Sequence, residues 1–298
     1  MMTLKSLLAE GREVLTAAQI ADADIDAWLL LQYVTGINRM MYLMEPDKSV
    51  SDEDTLAYRE VIARRATHYP LQYITHTQEF MGLDFYVDER VLIPRQDTEV
   101  LVEMTLGFLK DGMTVLDMCT GSGCILISLA ANRRLASGLG VDLSEGALEV
   151  AQKNARANGL DQLQWIQSSL FEAFENDLDK SDKLQVDVMV SNPPYIESEV
   201  IPTLMPEVRA HEPMMALDGF EDGLYFYREI TANAPAYLKN KGYLLFEIGY
   251  NQGEAVTDLM RMTGFVNIRI KKDLAGLDRV VCGMYNKRVA ENSSRTKM

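Results

Sequence analysis

Thr114-Val115-Leu116-Asp117-Met118-Cys119-Thr120-Gly121-Ser122-Gly123 carries a short apolar run into a loop with two glycines, and the apolar residues that follow, 125–131, have helical length. Strand, glycine loop and helix in that order open an α/β unit. The alternation continues, with strands read at 138–141, 163–166, 186–190, 243–248, 266–270 and 279–285, and helices at 147–157, 225–238 and 254–262. Such a pattern predicts a mostly parallel sheet with helices on both faces. Ligands in these sheets sit beyond the carboxyl ends of the strands, near the switch in strand order.

Gly121 and Gly123 let the backbone pass close to a ligand, and the helix N-terminus beyond them offers free N–H groups to a carboxylate or phosphate. Asp142 ends the second strand, about twenty residues on, where a carboxylate can accept both hydroxyls of a ribose. A nucleoside-containing cofactor is implied. A dinucleotide fingerprint wants a third glycine three positions after Gly123, and that position is Leu126. Each residue alone has a plainer meaning: Asp117 a buried cap, Asp142 a strand-end acid, the glycines a tight turn.

Val188-Met189-Val190-Ser191-Asn192-Pro193-Pro194-Tyr195 is a second strand that stops abruptly. Neither proline has an N–H, and Pro193 forces Asn192 out of the helical region, so the edge offers carbonyl acceptors without donors. Asn192 adds a side-chain carbonyl. A planar –NH2 group could give one hydrogen to Asn192 and the other to a main-chain carbonyl, with Tyr195 covering its face. An amide or an exocyclic amine suits such an edge, although Asn-Pro after a buried strand is also an ordinary turn.

Composition narrows the partners. The chain has 298 residues, 47% of them hydrophobic, enough for one large or two ordinary domains with a proper core. A formal charge of −15, with no basic patch and with pairs such as Arg64-Arg65 isolated, counts against a nucleic-acid partner. Three cysteines and three histidines make neither a disulfide framework nor a metal cluster. With no signal pattern and no apolar run of spanning length, a soluble, cytoplasmic protein is expected.

Apolar residues recur at helical spacing from Leu4 to about His68: Leu4, Leu7 and Leu8, then Ile25, Trp28, Leu29 and Leu31, then Leu56, Val61 and Ile62. Residues 1–68 are read as a helical domain, with Asp22 or Asp24 capping its second helix, Gly36 ending it, and Ser51 with Asp54 opening the third. Two β-type runs around Gly82 make 69–94 a hairpin linker. Thr98 is placed as the cap of a helix whose apolar face is Val100, Leu101, Met104, Leu106 and Leu109. The sheet domain then covers 95–286, and 287–298 are a polar, flexible tail.

The glycine loop, Asp142 and Asn192-Pro193-Pro194-Tyr195 together resemble the Rossmann-like S-adenosylmethionine methyltransferases that modify planar nitrogens. Pro70-Leu71-Gln72-Tyr73-Ile74, Glu79-Phe80-Met81-Gly82-Leu83, Leu92-Ile93-Pro94-Arg95, Glu221-Asp222-Gly223-Leu224, Phe246-Glu247-Ile248-Gly249-Tyr250-Asn251-Gln252-Gly253 and Lys272-Asp273-Leu274-Ala275-Gly276 are similar to the HemK-type peptide chain release factor glutamine methyltransferases. The likeness covers roughly 68–285 in one register. It implies an α/β fold, a Rossmann-like seven-stranded methyltransferase sheet with a small N-terminal helical domain that recognises substrate. It also implies methyl transfer from S-adenosylmethionine, leaving S-adenosylhomocysteine, to the side-chain amide nitrogen of the glutamine in the Gly-Gly-Gln motif of release factors, by a monomer that needs no metal.

On the family pattern Thr120, Gly121, Ser122 and Gly123 hold the methionine part, Asp117 and Cys119 also belong to the cofactor site, Asp142 takes the ribose, and Leu170 lies against adenine. Asn192, Pro193, Pro194 and Tyr195 form the substrate clamp, with Asn192, Pro193 and Tyr195 at the reacting nitrogen and Asn192 also beside the cofactor. The chain departs from the usual pattern at Cys119, where glycine is common, at Gln96-Asp97, where Pro-Glu is common, and at Ser169, where an Asp is common. Three other readings stay open on the residues alone: an adenine N(6) nucleic-acid methyltransferase, a nicotinamide-dependent oxidoreductase, and a non-catalytic binding module.

Overall fold

A computed structural model describes residues 2–177 and 184–290. Of the expected tail, 291–298 lie outside the described residues. The chain divides into two compact units, Met1–Thr77 with Met205–His211, and Gln78–Leu204 with Glu212–Met298. The division falls inside the stretch read as a linker.

The first unit is helical: α1 (Leu4–Ala17), α2 (Ala23–Thr35), α3 (Arg39–Met44), α4 (Asp52–Ala66) and α5 (Leu71–Thr75). Thr3 and Ser6 make a reciprocal capping box on α1, Gly36 ends α2 in the left-handed region, and Ser51 Oγ accepts from Asp54 N at the start of α4. Asp22 stands at the N-cap of α2 without a side-chain cap bond. The buried face of α2 is Ala23, Asp26, Ala27, Leu30 and Leu31, and the expected Ile25 and Leu29 are exposed, as is Leu56 of α4. An ion pair decides this. Arg65 Nε lies 2.7 Å from Asp26 Oδ2, both side chains buried, with Glu207 3.3 Å from the same guanidinium, so a charged residue occupies the inward face. Apolar periodicity cannot see a paired, buried charge.

In the second unit β1 (Gln78–Phe80) and β2 (Leu83–Phe85) form the expected hairpin, turning at Met81 and Gly82 with φ of 53° and 74°. Next come α6 (Gln96–Leu106), β3 (Thr114–Met118), α7 (Cys124–Asn132), β4 (Ser137–Asp142), α8 (Glu145–Ala157), β5 (Gln164–Gln167) and β6 (Val186–Ser191). They are followed by α9 (Pro206–His211, grouped with the first unit), α10 (Tyr225–Tyr237), β7 (Leu238–Glu247), α11 (Gly253–Met262), β8 (Phe265–Lys272) and β9 (Asp278–Tyr285). One correction concerns α6. It starts at Gln96 with Arg95 at its N-cap, so Thr98 is a buried first-turn residue, and Leu109 lies past its end.

The seven-stranded sheet has the order β5-β4-β3-β6-β7-β9-β8. β3 to β7 pair in parallel, while β9 is antiparallel to both neighbours. Side chains alternate between the faces. Val115, Val188, Val190 and Leu245 are buried with Leu101, Val102, Ile125 and Leu129 of α6 and α7. Leu116, Met118, Met189 and Phe246 face the other way, with Tyr227 and Ile230 of α10 and Val256 and Met260 of α11. From β3 the order runs outward through β4 in one direction and through β6 in the other, so the chain leaves those two strand ends on either side of a crevice. Among the described residues no helix is long and apolar enough to cross a membrane.

Candidate active site

A cavity of about 470 Å³ opens at this switch point within the second unit. Of the residues singled out in the sequence, Cys119, Thr120, Gly121, Ser122, Asp142, Leu170, Asn192 and Pro194 line it. Asp117, Gly123, Pro193 and Tyr195 do not line it.

The loop after β3 is left-handed at Cys119 (φ 60°), Gly121 (φ 54°) and Gly123 (φ 80°). Cys119 therefore occupies a backbone conformation that glycine adopts without strain. A Cβ at Gly121 would meet nothing within 4 Å, leaving room beside the backbone, whereas one at Gly123 would press on Ile127 and Trp165 at 3.0 Å. The loop is anchored at both ends. Thr120 Oγ1 donates to Asp117 Oδ2 (2.6 Å), and Gly121 N and Ser144 N donate to the two oxygens of Asp142 (2.9 Å each). Asp142 thus ties the loop to β4 and keeps one lone pair free on each oxygen. Burial raises the pKa of Asp142, and raises that of fully buried Asp117 to about 7.

Asn154 of α8, fully buried, was not foreseen. Its amide donates to Ser122 O (2.9 Å) and Tyr86 O (3.0 Å) and accepts from Tyr86 N (2.7 Å), clipping the loop to the segment after β2. Its only sequence signal is a polar residue on the apolar face of a helix.

On the opposite wall Ser191 Oγ donates to Met118 O (2.7 Å), joining the ends of β6 and β3. Asn192 Nδ2 donates to Thr98 Oγ1 (3.3 Å), which leaves Asn192 Oδ1 as an acceptor without a donor among the described residues. Tyr195 is turned away from the cavity. Its hydroxyl donates to Glu247 Oε1 (3.3 Å), and its ring packs against the core. The segment is held tightly: a Cβ at Gly223 would stand 2.4 Å from Tyr195 O, and Gln252 Nε2 donates to both Tyr195 O (3.1 Å) and Gly223 O (3.2 Å). The stretches 221–224 and 246–253 are thus the brackets of the Asn192 edge.

Leu170, half-buried with φ 49°, and exposed Ser169 form the far end of the cavity. Glu247, 2% exposed at the end of β7, was also missed. It ends its strand as Asp142 ends β4, and that parallel was the available signal. Burial raises its pKa to about 7. Among the described residues no group of three or more His, Cys, Asp or Glu could hold a metal ion. A crevice with a carboxylate at one strand end and an amide acceptor at another can seat a nucleoside against a planar nitrogen.

Residues 6–75 match the PrmC N-terminal domain family, and residues 109–279 a methyltransferase domain family. A release factor glutamine methyltransferase of Geobacter sulfurreducens is 41% identical over 94% of this chain and 96% of its own length. One of Agrobacterium fabrum is 40% identical, with the same coverage of each chain. The structure of a methyltransferase from Pyrococcus furiosus shares the fold at a TM-score of 0.51 and 15% identity, over 75% of this chain and 98% of that one. The chain belongs to the release factor glutamine methyltransferases.

Proposed function

We propose that this protein methylates the side-chain amide nitrogen of the glutamine in the Gly-Gly-Gln motif of peptide chain release factors. One observation carries the reading: Asn192 Oδ1 lies unpartnered at the edge of the cavity, beside two prolines that have no N–H to offer. That edge accepts and does not donate, which is what an amide –NH2 needs.

The lining of the cavity supports S-adenosylmethionine as its ligand. Asp142 keeps a free lone pair on each oxygen for a ribose, the space beside Gly121 is open, and Leu170 presents an apolar side chain. Thr120, Gly121 and Ser122 would hold the methionine part, with Cys119 beside them. Asp117 and Gly123 act from behind, fixing Thr120 and the turn. When bound, S-adenosylmethionine supplies an electrophilic methyl group on a sulfonium sulfur.

An amide nitrogen is a poor nucleophile because its lone pair is delocalised. Asn192 Oδ1 and the Pro193 carbonyl would take its two hydrogens and hold the nitrogen in line, favouring its move toward a tetrahedral centre. Pro194 walls the site, and Tyr195 secures the edge from below. Orientation of this kind lowers a barrier by on the order of 7–11 kcal/mol in the best cases. The helices of residues 1–68 would grip the release factor away from the reacting loop. Exposed Ile25, Leu29 and Tyr33 on α2, with Met40, Leu43 and Met44 on α3, support this as an apolar docking face. On this reading the enzyme acts in the cytoplasm as a monomer.

Incubation with labelled S-adenosylmethionine and a purified release factor, followed by mass mapping, tests the proposal. A single methyl group on the Gly-Gly-Gln glutamine is expected. Label on adenine in an added DNA or RNA, with none on the release factor, overturns it.

A further inference from the structure

Among the described residues two arginines line the cavity, Arg90 and Arg95, and they differ in what they have left to give. Arg90 commits its guanidinium to carboxylates: Nε and Nη2 donate to Asp88 and Nη1 to Glu149. Arg95 donates through Nη2 to Glu212 Oε1, and its Nε and Nη1 have no partner among the described residues.

Glu212 holds that guanidinium in place. Its side chain is 1% exposed where that of Arg95 is 39% exposed, and its Oε2 is buried without a partner. A carboxylate so placed keeps its counter-ion, because removing Arg95 would leave a buried charge uncompensated. Both members of the pair are tied to the Asn192 edge. Arg95 is the N-cap of α6, its carbonyl accepts from Thr98 N (3.1 Å), and Thr98 Oγ1 accepts from Asn192 Nδ2 (3.3 Å). Glu212 opens the segment that zips onto the residues after Tyr195: Leu217 O accepts from Ile196 N (3.0 Å), Ile196 O from Gly219 N (2.7 Å), and Phe220 O from Ser198 N (3.0 Å). The β3 loop is anchored elsewhere, by Asp142 and Asn154.

We propose that Arg95, fixed by Glu212, binds main-chain carbonyl oxygen of the substrate next to the target glutamine. This deepens the methyl-transfer reading and rests on it. The Asn192 edge accepts and does not donate, so it can hold the side-chain –NH2 but leaves the carbonyls of the substrate peptide without donors. A carbonyl stripped of water needs a donor in its place, and Arg95 has N–H groups to offer on the same side of the cavity. Donation to the glutamine's own side-chain oxygen would deepen the delocalisation that makes the amide nitrogen a poor nucleophile, so the guanidinium serves the main chain and not the reacting group. Glu212 also offsets the charge that a bare cation would set against a sulfonium.

Arg95→Lys keeps a charge for Glu212 but replaces the planar guanidinium by a single ammonium. It should lower kcat/KM by on the order of tenfold to a hundredfold for a release factor and for a short Gly-Gly-Gln peptide alike, with S-adenosylmethionine affinity by calorimetry within about twofold of the parent. Arg95→Met combined with Glu212→Gln, which leaves no charge buried alone, should behave in the same way, and cofactor binding by either variant shows that it is folded. Alkene isosteres of the peptide bonds before and after the glutamine each remove one carbonyl. Where Arg95 holds that carbonyl, the loss from the isostere and the loss from Arg95→Lys do not add, and such non-additivity is expected at one of the two bonds at least. Additive losses at both bonds, normal turnover by both variants, or a fall in S-adenosylmethionine affinity that accounts for the lost activity overturns the inference and leaves the proposed function standing. If the unaltered enzyme methylates no release factor, the proposed function and the inference fall together.

Discussion

At the scale of single residues the site depends on oxygens with lone pairs to spare. Asn192→Ala removes the unpartnered Oδ1 but touches neither the β3 loop nor the prolines, so cofactor binding should persist while kcat falls by on the order of 10²-fold or more. Calorimetry and steady-state kinetics on one preparation separate the two, and near-normal turnover would reduce the edge to a turn after a strand. Asp142→Ala works the other way. It deletes the acceptor proposed for ribose and frees Gly121 N, so affinity for S-adenosylmethionine should weaken by about 1.5–3 kcal/mol; unchanged affinity would remove Asp142 from the proposed cofactor site. Asn192 and Asp142 were legible because each ends an apolar strand with a chemically marked residue. Thr98 and Asn154 were not, since a buried hydroxyl or amide in a helix carries no periodic signature until its partner across the fold is known. Tyr195 was placed over the cavity from its position in the tetrad, but its ring follows the bond to Glu247 inward.

At the scale of elements, alternation of apolar strands and helices foretold the parallel sheet, because buried parallel strands are short, apolar and punctuated. The helices of the first unit were found but partly turned the wrong way round, since the Asp26–Arg65 pair inverts the apolar count on α2. That leaves Ile25 and Leu29 outward, and a test follows. Ile25→Asp with Met44→Asp, both at exposed positions, should leave stability within about 0.5 kcal/mol and raise KM for an intact release factor, but not for a short Gly-Gly-Gln peptide. Equal effects on both substrates would deny the helices a recognition role. The brackets of the Asn192 edge give a second test. Gly223 has φ 67° and no space for a Cβ against Tyr195 O, so Gly223→Ala should cost roughly 2–4 kcal/mol of stability, read by denaturant unfolding, and displace the edge. A variant as stable as the parent would show that the 221–224 turn is slack.

For the molecule as a whole, Glu247 makes stability depend on pH. Its pKa is raised by burial from 4.5 to about 7, so the folded protein binds this proton more tightly than the unfolded chain does. The stability that follows is fully present below about pH 4.5 and is lost as pH rises through about 7, to the extent of roughly 3 kcal/mol. Asp117, raised by burial to about 7 as well, acts in the same sense. Glu247→Gln tests this. Lacking the titrating group, it should gain stability relative to the parent between pH 5 and 7 and level off above that. Denaturant unfolding of parent and variant at matched pH values provides both curves, and a stability difference that stays flat from pH 5 to 8 would mean that Glu247 carries its charge in the fold without cost.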